Sequence, residues 1–176
     1  MGFIFKIIMG GEAAVGKTTM VNRLKTGQFS ERLGMTIGVD FQTFHVDYQG
    51  KKVTLQVWDL GGQERFRHIF DTYVRGSKAV ILMHDLTRPE TAEKLNNWLN
   101  LFETKDGNLP VILIGTKLDL VQDKKDIEQR KNANIFKIIG ERHQLIDHVF
   151  ISSKTGTNME NILRPICENF QKYGFL

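Results

Sequence analysis

The chain of 176 residues has one cysteine, Cys167, so no intrachain disulfide can form. That fits a reducing compartment. Its five histidines, His45, His68, His84, His143 and His148, show no metal-ligand spacing. No apolar run reaches the length of a membrane span. The opening Met1-Gly2-Phe3-Ile4-Phe5-Lys6 reads as the start of a strand and not as a signal peptide. Lys6 also stands where the N-myristoylation pattern wants Ser or Thr. Low-complexity tracts are missing. The net charge of +4 is not gathered into a run of one sign. The densest basic stretch, Lys124-Lys125 with Arg130-Lys131, also holds Asp123, Asp126 and Glu128. Such interleaving marks a solvated surface and argues against nucleic acid as a partner.

What is present suits one globular domain over residues 1–176. Hydrophobic residues make up 41% and charged residues 25%, enough apolar material for a single core of this size. Apolar runs alternate with amphipathic segments along the chain. Phe3 to Met9, Ala79 to Met83 and Val111 to Ile114 read as strands covered on both faces. Val39 to Tyr48 and Lys52 to Trp58 flank Gln49-Gly50 and predict a hairpin. His148 to Ile151 is a last short strand. Val21 and Leu24 mark a first helix, and a polar helix is expected through Ile127 to Gly140. Thr87 and Pro89 open a helix whose stripe is Leu95, Trp98, Leu99 and Phe102. In the final helix Met159, Ile162, Leu163, Ile166, Cys167 and Phe170 recur at helical spacing. Thr157 and Glu160 suggest a capping box, Pro165 a bend or a delayed start, and Cys167 a core position. Strands separated by helices pair in parallel through right-handed crossovers. The expected fold is a three-layer α/β sheet of six strands, mostly parallel with one antiparallel strand, helices on both faces. Its ligands should bind at the carboxyl ends of the strands.

Gly11-Glu12-Ala13-Ala14-Val15-Gly16-Lys17-Thr18 matches the pattern G-x-x-x-x-G-K-[ST]. A chance match in a chain of this length is on the order of 1 in 200. The position between a strand and a helix lowers that further. A loop of this length wraps a β-phosphate in backbone N–H groups, backed by the helix N-terminus. Lys17 is placed to reach the β- and γ-oxygens, and the Thr18 hydroxyl to ligate Mg²⁺.

Three later segments separate the possible nucleotides. Trp58-Asp59-Leu60-Gly61-Gly62-Gln63-Glu64 follows a strand. Asp59 suits a direct or second-sphere Mg²⁺ contact, Gly62 a close approach to the γ-phosphate, and Gln63 an in-line water. Gly115-Thr116-Lys117-Leu118-Asp119 ends a buried strand. A carboxylate there accepts both N1–H and the exocyclic amine of guanine, a donor pair that adenine lacks, and the Lys117 stem can lie along the purine face. Ser152-Ser153-Lys154 ends the last strand, where backbone N–H groups can reach guanine O6. An ATPase needs neither of the last two. A small-molecule kinase leaves the Thr116–Asp119 segment unexplained and should show a lid segment, which is not evident here.

On these residues the chain resembles a Ras-superfamily small GTPase over its full length, and within it the Rab family. Thr36-Ile37-Gly38-Val39-Asp40-Phe41 is similar to a Rab effector loop. Gln63-Glu64-Arg65-Phe66 and Tyr73-Val74-Arg75-Gly76 are similar to Rab switch II. The resemblance implies a slow GTPase that binds GTP or GDP with Mg²⁺ and reads out through effectors at Phe41, Trp58 and Tyr73. It implies Thr18, Thr36 and Asp59 around the metal and Gln63, Lys17 and Thr36 at the hydrolysis step. Nucleotide contacts are expected from Gly11 and Ala13 through Thr19, from Phe29 against the guanine, and from Gly62. Thr116, Lys117, Asp119 and Leu120, with Ser152, Ser153 and Lys154, complete the base site. An exchange factor and a GTPase-activating protein are implied as partners, and a monomer is expected. By analogy with Ras and Gα the intrinsic rate is slow, on the order of 10⁻⁴ to 10⁻² s⁻¹.

The sequence departs from the Rab pattern at several places. Ala14 replaces a usual glycine and is expected to crowd the loop or alter nucleotide exchange. Thr116 replaces an asparagine, as in Rho proteins, and Leu60-Gly61 is Arf-like. Leu33 replaces an aromatic residue that often closes over the phosphates. Arg32, its neighbour, reads as a solvated side chain more readily than as an internal arginine finger. Rab proteins usually end in prenylated cysteines, and Lys172-Tyr173-Gly174-Phe175-Leu176 holds none. A cytoplasmic protein is expected, peripheral on the cytosolic face of a membrane only with a lipidated tail beyond these residues. The competing reading is a GTP-binding scaffold without hydrolysis, supported by Ala14 and opposed by Gln63.

Overall fold

Strands rich in Ile, Val and Leu pair in the middle of a sheet, where both faces must be covered. The computed structural model describes residues 2–31, 34, 36–61, 70–104, 107–122 and 134–176. Among these, β1 (Phe3–Gly10), β4 (Ser77–Asp85) and β5 (Val111–Thr116) lie side by side in that central position. The hairpin strands β2 (Val39–Tyr48) and β3 (Lys51–Leu60) extend the sheet on one side and β6 (Leu145–Phe150) on the other. The order is β2-β3-β1-β4-β5-β6, and every neighbouring pair is parallel except β2 with β3. The predicted six-stranded sheet is therefore what forms. At the hairpin tip Gln49 (φ 52°) and Gly50 (φ 76°) make the two-residue turn whose twist matches the strands.

Period two along each strand divides the core into two faces. Ile7, Met9, Ile81 and Ile114 point one way, to Met20 of α1 (Lys17–Thr26) and to Ile166 and Phe170 near the C-terminus. Ile8, Val80, Leu82 and Leu113 point the other way, to Leu95, Trp98, Phe102 and Ile139. The helices on that side are α2 (Phe70–Val74), α3 (Pro89–Glu93), α4 (Leu95–Leu101) and α5 (Asn134–Arg142). α6 (Leu163–Lys172) completes the first face. Cys167 is fully buried on it, and burial, with Glu168 nearby, pushes its thiol up to about 11. That is a packing residue, as its place on the stripe predicts.

Four sequence expectations are corrected. The stretch after Pro89 is two helices, broken at Lys94, whose N–H bonds back to Glu90 at 3.3 Å. Of the polar helix expected through residues 127–140, residues 127–133 lie outside the described residues. The described part, α5, runs two residues past Gly140, because Gly140 keeps helical geometry there. The last strand begins at Leu145, earlier than its apolar run, because pairing with β5 starts where Leu145 meets Val111. The Thr157–Glu160 capping box is not made. Instead Thr157 Oγ1 bonds Thr155 Oγ1 at 2.7 Å, and Asn158 (φ 59°) occupies the cap and donates to the Phe150 carbonyl at 2.7 Å. A short 3₁₀ turn, Met159–Asn161, precedes α6. Pro165 thus falls in the first turn of α6, where its missing N–H costs nothing, and the delayed start is what the sequence predicts.

Position 10, the last of β1, is glycine for a steric reason. A Cβ there would stand 2.5 Å from the Phe102 ring and 2.7 Å from Trp98. Both rings are fully buried and have nowhere to go. Gly10→Ala is expected to destabilise the fold by about 1–3 kcal/mol. A lower urea midpoint at unchanged slope is the measurement.

Candidate functional site

The turn from β1 into α1 lies at the carboxyl edge of the sheet, where the sequence places a phosphate loop. Gly11 (φ 141°) lies so close to the Met83 carbonyl that a side chain has no room. Gly16 (φ 99°) opens α1 with no side-chain cap. Uncapped N–H groups at a helix start are an anion site. The loop's carbonyls are held from behind. Lys17 Nζ donates to Gly11 O at 2.8 Å and Glu12 O at 3.0 Å. Lys17 is buried, which pushes its amine down to about 8, while Asp59 and Glu12 oppose the shift. Glu12 turns away from the loop and accepts from Trp98 Nε1 at 2.9 Å and Lys94 Nζ at 3.2 Å. Ala13 and Thr19 are half-buried and Val15 is buried. The Ala14 methyl is exposed. The residue's left-handed backbone (φ 59°) is one that alanine adopts at a cost and glycine does not.

Three oxygen donors from separate segments meet beside this loop. Thr18 Oγ1 is 2.7 Å from Thr36 Oγ1 and donates to Asp59 Oδ2 at 2.6 Å. Asp59 is buried, and its Oδ1 has no hydrogen-bond partner among the described residues. Two hydroxyls and a carboxylate form a hard donor set that suits Mg²⁺, and the orphaned oxygen leaves capacity for its shell. Gly61 brings Thr36 here: its N–H donates to Gly38 O at 2.8 Å, extending the β2–β3 pairing toward the loop before β2.

On the other side, Thr116 Oγ1 donates to Val15 O at 2.6 Å and His84 O at 3.0 Å, fixing the end of β5 to the phosphate loop. Threonine thus performs the tethering that its position requires. Lys117 (φ 61°) starts a 3₁₀ turn over Leu118–Leu120, and its amine is bonded to Asp85 at 2.6 Å. Asp119 and Leu120 are exposed. Ser152 Oγ donates to Asp119 Oδ1 at 2.6 Å, so the two base segments meet. Ser153 is half-buried and Lys154 exposed on the same turn, and Phe29 is half-buried after α1.

The profile of the Ras family matches residues 6–172. The chain belongs to the Ras family. It is 37% identical over 161 residues to the Ras-related protein Rab-19 of Mus musculus, covering 91% of this chain and 72% of that one. To Rab-30 of Homo sapiens it is 43% identical over 129 residues, 73% of this chain and 64% of the relative. To RABA5a of Arabidopsis thaliana the identity is 39% over 132 residues, 74% and 58% of the two chains. As a Rab-like member of the Ras family the protein is a GTPase that binds GTP or GDP and Mg²⁺.

The aromatic residues that the Rab resemblance singled out are brought together. Phe41 stacks on Trp58 at 5.3 Å between centroids, and Trp58 meets Tyr73 at 5.8 Å. Lys6 Nζ sits 4.4 Å from the Trp58 ring, and Phe41 is 53% exposed. The expectations for Gly62, Gln63, Arg32 and Leu33, and for Glu64-Arg65-Phe66, lie outside the described residues. Asp85, Thr87 and Arg88 were missed by sequence reasoning, although Asp85-Leu86-Thr87 follows a buried strand at the ligand-binding edge, which is the available signal.

A Cβ on Gly61 would lie 2.8 Å from the Thr36 carbonyl and 3.0 Å from the Gly38 carbonyl. Gly61→Ala is expected to push Thr36 away from Thr18 and Asp59. Mg²⁺ affinity in the GTP-bound protein should fall about tenfold, with a smaller change in the GDP form. Metal titration of both loaded forms is the check, and equal affinities would show that the loop yields at no cost.

Proposed function

We propose that this chain is a Rab-like switch, one G domain over residues 1–176, that engages effectors in its GTP state in vesicle or membrane trafficking or signalling. The observation carrying the reading is that the Thr18 hydroxyl meets both Thr36 Oγ1, at 2.7 Å, and Asp59 Oδ2, at 2.6 Å. These residues come from the phosphate loop, the effector loop and the end of β3. A segment that senses the γ-phosphate needs such a convergence, because its position must depend on the ligand.

In this reading Thr18, Thr36 and Asp59 would hold Mg²⁺, which would supply positive charge to the phosphates of the bound nucleotide. Lys17 would pair its third N–H with the β- and γ-oxygens while keeping the Gly11 and Glu12 carbonyls. Gln63 orients the attacking water, and Thr36 and Gly62 relax after hydrolysis. Asp119 reads the two donors of guanine, held in place by Ser152. Lys117 and Leu120 border the base, with Ser153 and Lys154 at its O6 side and Phe29 at its edge. Effectors dock on Phe41, Trp58 and Tyr73, and an exchange factor and a GTPase-activating protein set the state of a monomeric protein. Among the described residues no helix is long and apolar enough to cross a membrane. The likeness to Rab proteins supports a cytoplasmic chain that is peripheral on a membrane when it carries a lipidated tail.

Single-turnover GTP hydrolysis with Mg²⁺ tests the switch. Wild type should convert bound GTP slowly, and Gln63→Leu should be slower by about tenfold or more. If neither turns over while both hold GTP, the scaffold reading replaces this one. The base assignment has its own check. Asp119→Asn should weaken GTP by about tenfold to a hundredfold and gain affinity for xanthosine nucleotides, because the lost acceptor leaves guanine donors unpaired. Unchanged GTP affinity in competition binding would sink the assignment.

A further inference from the structure

The carboxylate of Asp85, at the end of β4, has no exposed surface and gathers three neighbours. Lys117 Nζ lies 2.6 Å from Oδ2 and Arg88 Nε 2.9 Å from the same oxygen. Thr87 donates to Oδ1 from its N–H at 2.9 Å and from its hydroxyl at 2.7 Å. Burial alone would push this carboxyl up, but Lys117, Thr87 and Arg88 outweigh it and hold it below its usual value of 3.8.

Arg88 has a second arm. Its Nη2 donates to the Ala13 carbonyl at 3.0 Å. The backbone of Arg88 is fixed as well. Its N–H bonds Asp85 O at 3.0 Å, and its carbonyl accepts Thr91 N–H at 3.0 Å and Thr91 Oγ1 at 2.7 Å. A planar guanidinium on a fixed backbone suits bridging two acceptors in one geometry. The bridge spans the two halves of the nucleotide site. Lys117 belongs to the base segment, and Ala13 adjoins Ala14, whose left-handed backbone favours relaxation for any residue but glycine.

We propose that Arg88 is a positioning residue for nucleotide retention, tying the phosphate loop at Ala13 through Asp85 to Lys117 so that neither half opens alone. This rests on the guanine-nucleotide reading above. The role is indirect: Arg88 acts through a loop carbonyl and a carboxylate. Thr116, bonded to Val15, is a parallel tether from the end of β5, so loss of Arg88 loosens the loop without releasing it.

The test is release of mant-GDP from the full chain into excess GDP, well below the melting temperature, with Mg²⁺ and again with EDTA. Arg88→Ala should release mant-GDP about five- to twentyfold faster than wild type, the loss expected for a charge-assisted bond that is partly exposed. Arg88→Lys should fall between them, because an ammonium keeps the charge but not the fork. The ratio should persist in EDTA, since the bridge contains no metal ligand. Melting curves separate a structural role, which would lower the melting temperature without changing release. Release at the wild-type rate in Arg88→Ala, or a ratio that vanishes in EDTA, would overturn the proposal. Wild type that fails to load mant-GDP at all would overturn the nucleotide reading beneath it.

Discussion

A loop that turns its N–H groups toward an anion must turn its carbonyls toward the protein, and those carbonyls need donors. Most of the site's architecture answers that constraint. Gly11 and Glu12 are served by Lys17, Ala13 by Arg88 and Val15 by Thr116. The donors come from α1, the turn after β4 and the end of β5. The phosphate loop therefore keeps its shape only when those strand ends lie side by side. Parallel order β1-β4-β5 places them there.

The same arrangement concentrates charge that solvent would otherwise disperse. Burial lowers the Lys17 amine and raises the Asp59 carboxyl, so each is held in a form that its surroundings penalise. A phosphate beside Lys17 and a divalent cation beside Asp59 would relieve both penalties. This is the usual sign of a site built for a charged ligand. Asp85 differs. It is buried but fully partnered, and so serves as a fixed point and not as a ligand group.

Much of this was legible in the sequence because the signals are local. The phosphate loop needs fixed residue types at fixed spacing, and the strands announce themselves by apolar runs. Asp59 was legible from its place at a strand end, Thr36 and Phe41 only through family resemblance, and the structure places them against Thr18 and Trp58. The errors also have local causes. Thr157 and Glu160 fit a capping box, but Asn158 found a better partner in the Phe150 carbonyl, eight residues back in sequence. The break at Lys94 leaves the apolar stripe unchanged, so periodicity could not reveal it. His84 and His148 appeared unrelated at a separation of 64 residues, yet their Nε2 atoms lie 3.4 Å apart between β4 and β6.

The sequence by itself determined the fold class, the family and the types of ligand, since periodicity and motif spacing are properties of short segments. Tertiary structure decided which distant side chains hold those segments still. Glu12 with Trp98, Thr116 with Val15, Asp85 with Lys117 and Arg88 with Ala13 are pairings between segments that share no local pattern. They exist because parallel strands bring their carboxyl ends to one edge, where buried carbonyls and carboxylates take whatever donor the neighbouring strand end supplies.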